Sequence, residues 1–173
     1  MSKRSRKEWD LFQLKLARQY STMSKDPQTQ VGAVVCDSDS KHVYGLGYNG
    51  LPAHMDDDPQ LLSDREYKLR HTIHAEDNAL FQAYDNLHPS RDERLTELTM
   101  VVYPFLPCSE CAKEICHAFS NYNMNFTRVV TLDYVPERWQ EDFAKSEEIL
   151  TKAGIQVVRY PMSSLEVCRR AQY

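Results

Sequence analysis

The chain has 173 residues, of which 42% are hydrophobic and 27% charged, proportions that fit a soluble globular protein of one domain. Five glycines and eight prolines exclude a low-complexity or collagen-like chain, and no apolar run approaches the ~20 residues of a membrane span. A formal net charge of −4 argues against a long polynucleotide partner but not against a single nucleotide, whose one phosphate needs only one or two local cations.

The first residues, MSKRSRKEWD, are basic and lead into no apolar stretch, so we expect no secretory leader and a cytoplasmic protein. Trp9, Phe12, Leu16, Tyr20 and Met23 recur at spacings of three and four, which predicts a helix from about Trp9 to Met23 with these residues on its apolar face. Pro27 ends it by disfavouring helical geometry at Asp26. Val31–Cys36 and His42–Gly47 read as two strands of a hairpin joined by the turn-rich residues 37–41. A long polar stretch follows from Tyr48 to about Arg70, within which Gln60–Lys68 is compatible with a short helix. The acidic run Asp56–Asp58 reads as a solvated loop rather than a metal site.

A second helix is expected from Ile73 to Tyr84, with Ala75, Ala79, Leu80 and Ala83 on its apolar face. Leu98–Tyr103 is continuously apolar and reads as a central strand. A helix over Ser109–Phe119, a strand over Phe126–Leu132, a helix over Glu137–Lys152 and a strand over Ile155–Tyr160 complete the pattern, with Gly154 at a helix stop. Ser163–Arg170 is a candidate terminal helix. Strands alternating with helices require parallel pairing through right-handed crossovers. The expected fold is therefore α/β: a three-layer α/β/α sandwich around a five-stranded mixed sheet, one domain over residues 1–173 with its core at about 9–161. Ligands in such sheets bind at the carboxyl ends of strands.

Five cysteines, Cys36, Cys108, Cys111, Cys116 and Cys168, make a poor disulfide framework. Cys36 ends an apolar run and reads as a small buried hydrophobe. Cys108 and Cys111 stand three apart at the start of a predicted helix, where they face the same way and where the helix terminus stabilises thiolates. Two thiolates and the His74 imidazole make a three-ligand zinc site with the fourth position left for water, whose pKa the metal lowers from 15.7 to about 7. Cys116 and His117 lie later in the same helix and are expected to point elsewhere; His117 and His71 are the candidates for a fourth ligand. Glu76 stands two residues from His74, off the ligand side, and suits a proton carrier between water, a ring nitrogen and a leaving amine. Alone, C-x-x-C is also compatible with redox chemistry and H-x-E is commonplace. Together, H-x-E and P-C-x-x-C form the signature of zinc nucleobase deaminases.

His74-Ala75-Glu76-Asp77-Asn78-Ala79 and Pro107-Cys108-Ser109-Glu110-Cys111-Ala112-Lys113 resemble the cytidine and deoxycytidylate deaminase superfamily. Ser24-Lys25-Asp26-Pro27 with Gln30-Val31-Gly32-Ala33-Val34, Gly47-Tyr48-Asn49-Gly50-Leu51-Pro52 and Ala153-Gly154-Ile155 resemble its deoxycytidylate (dCMP) deaminase branch. The resemblance implies hydrolysis of dCMP to dUMP and ammonia, feeding thymidylate synthesis. It implies one catalytic Zn2+ on His74, Cys108 and Cys111, with Glu76 as general acid/base and the backbone at Ala75 on the pyrimidine edge. It implies contact of Asn49 with either substrate or effector, and of Tyr134 with the substrate phosphate. Lys25, in the matching junction, is the candidate phosphate cation; a solvated surface lysine is the plainer alternative, as a half-buried loop tyrosine is for Tyr134.

The resemblance further implies a homo-oligomer, hexameric in many relatives, controlled by dCTP and dTTP with Mg2+. Departures from the family pattern bear on that control. Ala53-His54-Met55 replaces the usual residues after the loop proline, the loop carries no cysteine for a second structural zinc, and Ser120–Asn125 is expected to lengthen a turn. Alternatives within the chemistry are cytidine, dCTP, a modified dCMP or a tRNA base; the basic residues Lys3, Arg4, Arg6 and Lys7 leave some room for the last. A non-catalytic zinc-stabilised binding module is the alternative outside it.

Overall fold

The computed structural model describes residues 3–55, 58–87 and 97–166 of the chain. Its strands are β1 (Gly32–Asp37), β2 (Val43–Tyr48), β3 (Glu97–Tyr103), β4 (Asn125–Leu132) and β5 (Gln156–Tyr160), in the order β2-β1-β3-β4-β5. β1 pairs antiparallel with β2 and with β3, while β3, β4 and β5 run parallel. The helices are α1 (Arg6–Ser21), α2 (Pro59–Ser63), α3 (Arg65–His71), α4 (Ala75–Asn86), α5 (Ser109–Tyr122) and α6 (Gln140–Lys152).

Alternation along β1 builds both cores. Ala33 and Val35 join Met100, Val102 and Val129 under residues of α4, α5 and α6. Val34 and Cys36 join Val101 and Val130 under Leu14 and Ala17 of α1. A sheet with both faces apolar needs a helical layer on each side, and the expected three-layer mixed sandwich is what forms.

α1 departs from its expected face. Phe12 is 55% and Met23 59% exposed, while Asp10, Gln13, Leu14, Ala17 and Ser21 are buried. The reason is an ion pair across the layers. Asp10, fully buried, takes a bidentate contact from Arg128 of β4 (2.6 and 3.2 Å), a hydrogen bond from the Tyr160 hydroxyl (2.9 Å) and one from Ser40 Oγ (2.9 Å). A buried charge must be paired, so the helix turns Asp10 inward and Phe12 outward, and it ends at Ser21 before Met23.

Other boundaries shift for local reasons. Ile73 is not helical: it forms a two-residue bridge with Gly50 (Ile73 N to Gly50 O 2.8 Å, Gly50 N to Ile73 O 3.1 Å), which closes the long polar excursion at its base. The helix expected over Gln60–Lys68 is broken at Asp64, which is extended and caps α3 by accepting from the N–H groups of Glu66 and Tyr67. Ser120–Asn125 does not lengthen a turn: α5 continues through residue 122 and ends at Asn123 in the left-handed region. Glu137–Trp139 is a 3-10 turn that precedes α6. Of the expected terminal helix, Met162–Leu165 forms a 3-10 turn; residues 167–170, including Cys168, lie outside the described residues, as do Asp56 and Asp57. Among the described residues no helix is long and apolar enough to cross a membrane.

Candidate active site

The site forms where α4 and α5 begin. α4 lies on β2 at unusually close range, because Gly45 and Gly47 carry no side chains: a Cβ at either would stand 2.0 Å from a carbonyl oxygen of α4, at Ala79 and Ala75 respectively. That approach sets the position of the first turn of α4. His74 is its N-cap residue, extended and with no side-chain capping bond, so its imidazole is left to face α5. Cys108 is the N-cap of α5, and its Sγ accepts from the Cys111 N–H at 3.5 Å. Ser109 donates from its N–H (3.0 Å) and hydroxyl (2.5 Å) to Asp142, tying the start of α5 to α6.

His74 Nδ1 stands 3.2 Å from Cys111 Sγ and 3.5 Å from Cys108 Sγ. The three ligand atoms all lie within 4.8 Å of one another, and among the described residues no fourth His, Cys, Asp or Glu joins them. The fourth-ligand candidates go elsewhere: His71 stacks on Tyr67 (4.1 Å between centroids) and bonds its backbone, and His117 is exposed on α5. The electrostatics suit a cation. Hydrogen bonding from the Cys111 thiol and from His74 lowers Cys108 to about 4, against the opposing effect of burial. The hydrogen bond to Cys108 raises His74 to about 9. Cys111, the donor to Cys108 and itself buried, is pushed up. Two sulfurs and an imidazole nitrogen at two helix N-termini form a donor set that fits Zn2+ with one position left open.

A cavity of about 270 Å3 opens beside this cluster. Glu76, only 4% exposed, lines it, and burial pushes its carboxyl up to about 7 against the pull of His74. Ala75 and Asn49 also line it. Its lining is also aromatic: Phe105, Trp139 and Phe143 pack at centroid distances of 4.7 to 5.6 Å. Buried carboxyl, three metal-ligating atoms and an apolar slot form the constellation that general acid–base hydrolysis at a metal needs.

Asn49 also has a structural task. Its Oδ1 accepts from the Val31 N–H (2.8 Å) and its Nδ2 donates to the Thr29 carbonyl (2.8 Å), which holds residues 29–31 against the cavity. Two of the candidate residues do not line this cavity. Lys25 lines a different cavity, of about 470 Å3, with Tyr20, Tyr48 and His54. Tyr134 is exposed, and its ring lies 6.4 Å from that of Phe105, a lining residue. Sequence reasoning missed Lys68, which lines the ligand-side cavity, and Asp142. Neither carries a motif, and only the packing of α3 and α6 brings them to the site.

Two parallel crossovers and a His/Cys/Cys cluster at helix N-termini define a metal-site α/β protein. Residues 7–126 match the family described as the cytidine and deoxycytidylate deaminase zinc-binding region. The chain belongs to the cytidine and deoxycytidylate deaminase family. It is 29% identical over 161 residues to an uncharacterized deaminase from the luxG 3' region of Aliivibrio fischeri, covering 92% of this chain and 98% of that protein. It is 31% identical over 145 residues to a probable deoxycytidylate deaminase of Caenorhabditis elegans, covering 82% of this chain and 64% of the relative. It is 32% identical over 116 residues to human deoxycytidylate deaminase, covering 64% of this chain. The chain thus spans less than two thirds of the length of these two animal relatives. The dCMP deaminase of cyanophage S-TIM5, solved in complex with dCMP and dUMP, superposes with a TM-score of 0.58 at 22% identity, covering 92% of this chain and all of that one, a likeness of fold.

Proposed function

We propose that the protein is a zinc-dependent deaminase that converts dCMP and water to dUMP and ammonia. One observation carries this reading: a buried carboxyl, Glu76, lines the same small cavity as His74 and Cys108 of a three-ligand cluster. The deoxycytidylate deaminases among the relatives support the choice of substrate.

His74, Cys108 and Cys111 would hold the zinc, which when bound would supply Lewis acidity and a nucleophilic water near neutral pH. Phe105, Trp139 and Phe143 exclude bulk water and offer flat apolar surface to the pyrimidine. The backbone at Ala75, in the first turn of α4, meets the base edge. Glu76 takes the proton of the attacking water, delivers it to ring nitrogen N3, and moves a second proton to the departing amine as the C4–N4 bond breaks. A carboxyl raised by burial is matched to both tasks near neutral pH. Assembly into a homo-oligomer and control by dCTP or dTTP with Mg2+ belong to the same proposal and are supported by the family resemblance.

The test is ammonia release by zinc-loaded protein from dCMP, CMP, cytidine and dCTP, with and without dCTP and dTTP as effectors. dCMP is expected to have the highest kcat/KM. Equal turnover of cytidine and dCMP would remove the monophosphate from the proposal, and no turnover of any of the four would leave a zinc-stabilised binding module.

A further inference from the structure

Cys108 is held from α6 on both sides. Upstream of it, Phe105 packs on Trp139 (4.7 Å between centroids) and on Phe143 (5.5 Å). Downstream, Ser109 gives both of its donors to one carboxylate: its N–H to Asp142 Oδ2 at 3.0 Å and its hydroxyl to Asp142 Oδ1 at 2.5 Å. Trp139, Asp142 and Phe143 all belong to the start of α6.

Asp142 serves a helix other than its own. It stands in the first turn of α6, whose N-cap residue, Trp139, makes no side-chain capping bond. A carboxylate at that place can turn back to cap its own helix. Here both oxygens take donors from the start of α5 instead.

The reason lies in Cys108. An N-cap side chain ordinarily accepts from the first N–H groups of its helix. Cys108 Sγ reaches only the Cys111 N–H, and at 3.5 Å. The same sulfur is one of the three metal-ligating atoms, and a sulfur committed to a metal has less to give to the helix. The Ser109 N–H, the first orphan donor of α5, is satisfied by Asp142.

We propose that Asp142 is a positioning residue for the metal centre: by capping α5 through Ser109, where the Cys108 side chain does not, it fixes the direction of the Cys108 sulfur toward His74 and Cys111. The inference rests on the zinc-deaminase reading above. Asp142 is not itself in the ligand cluster; it acts through the residue that follows Cys108. Groups that stand behind metal ligands and orient them sustain both affinity and activity. Asp142 also lines the cavity, so direct contact with substrate is the role to be told apart.

The experiment measures Zn2+ affinity of the full chain by competition with a chelator of known affinity. It also records the absorption of the Co2+-substituted protein and follows dCMP deamination at saturating zinc. Asp142→Ala is expected to weaken zinc binding about 10- to 100-fold, to weaken the thiolate-to-Co2+ charge-transfer band, and to lower kcat more than it raises KM. Asp142→Asn keeps a carbonyl acceptor for the Ser109 N–H and is expected to bind zinc within about 5-fold of wild type. Ser109→Ala keeps the N–H bond and loses only the hydroxyl, for an expected weakening of about 2- to 5-fold. Unchanged zinc affinity and cobalt absorption in Asp142→Ala, with only a lower melting temperature, would make the pair a plain clamp between helices and overturn the proposal. A raised KM with unchanged zinc affinity would make Asp142 a substrate contact, and Asp142→Asn as weak as Asp142→Ala would assign the effect to charge; either result also overturns it. Should Asp142→Ala fail to fold, wild-type zinc affinity in Ser109→Ala overturns it. Wild-type protein that binds no zinc defeats the zinc reading itself, whereas wild-type protein that binds zinc but deaminates nothing defeats only the deaminase reading and leaves the affinity comparison decisive for Asp142.

Discussion

Two carboxyl groups are buried on opposite faces of the same sheet, and their surroundings differ. On the α1 face Asp10 is met by three side chains that donate to it, Arg128, Tyr160 and Ser40. On the face of α4 and α5, Glu76 has no side-chain donor among the described residues and is pushed up to about 7 by burial. A carboxylate whose oxygens are taken up by three donors is a staple, committed to partners within the fold. A buried carboxyl that no side chain donates to, beside a cavity, has lone pairs left for a ligand. The contrast separates the structural half of the molecule from the chemical half.

Exchange at each carboxyl puts that contrast under strain. Glu76→Gln is expected to lower kcat by about 10²- to 10⁴-fold, the range of general acid–base catalysis, with stoichiometric zinc and an unchanged melting temperature; near-normal kcat at saturating dCMP would dissolve the distinction. Cys108→Ala is expected to lose zinc and turnover together, as read by metal analysis and ammonia release, while far-UV circular dichroism stays native. The fold is expected to survive because Cys108 belongs to neither buried cluster. Asp10→Ala should do the reverse. It leaves Arg128 uncompensated and is expected to destabilise the fold by about 3–5 kcal/mol in urea titration, with kcat per folded molecule unchanged.

The smallest effect belongs to Cys36, on the α1 side of β1. Burial raises its thiol from 9.0 to about 12. The unfolded thiol loses its proton first, so stability is expected to fall as pH rises from about 9 toward 12, by at most about 1.4 kcal/mol per pH unit. Cys36→Ala should flatten that slope in denaturant titrations at pH 8, 9 and 10. An identical slope in the variant would assign the loss to other groups, Tyr160 among them, whose hydroxyl burial also pushes up to about 12.

The parts of the molecule legible in the sequence were those governed by short spacings. The apolar runs of β1 and β3 marked strands correctly, and His74, Cys108 and Cys111 were recognisable from residue type, spacing and the helix starts beside them. α1 was misread on its face because periodicity treats every apolar residue as a core candidate. It cannot know that Arg128, 118 residues away, will require Asp10 inside. A stripe of Asp10, Leu14, Ala17 and Ser21 was present at helical spacing, but its polar ends hid it. Lys25 was chosen by its neighbourhood in the chain, whereas the fold places it on the larger cavity and puts Lys68 on the smaller one.

Residue order by itself determined the succession of helices and strands and the chemistry of the three metal-ligating side chains, since local geometry and donor atoms are properties of a few adjacent residues. The tertiary structure alone decided which carboxyl stays unpaired, which lysine reaches the cavity and which side of α1 is inward, because burial and charge pairing are set by groups far apart in the chain and exist only once the layers close.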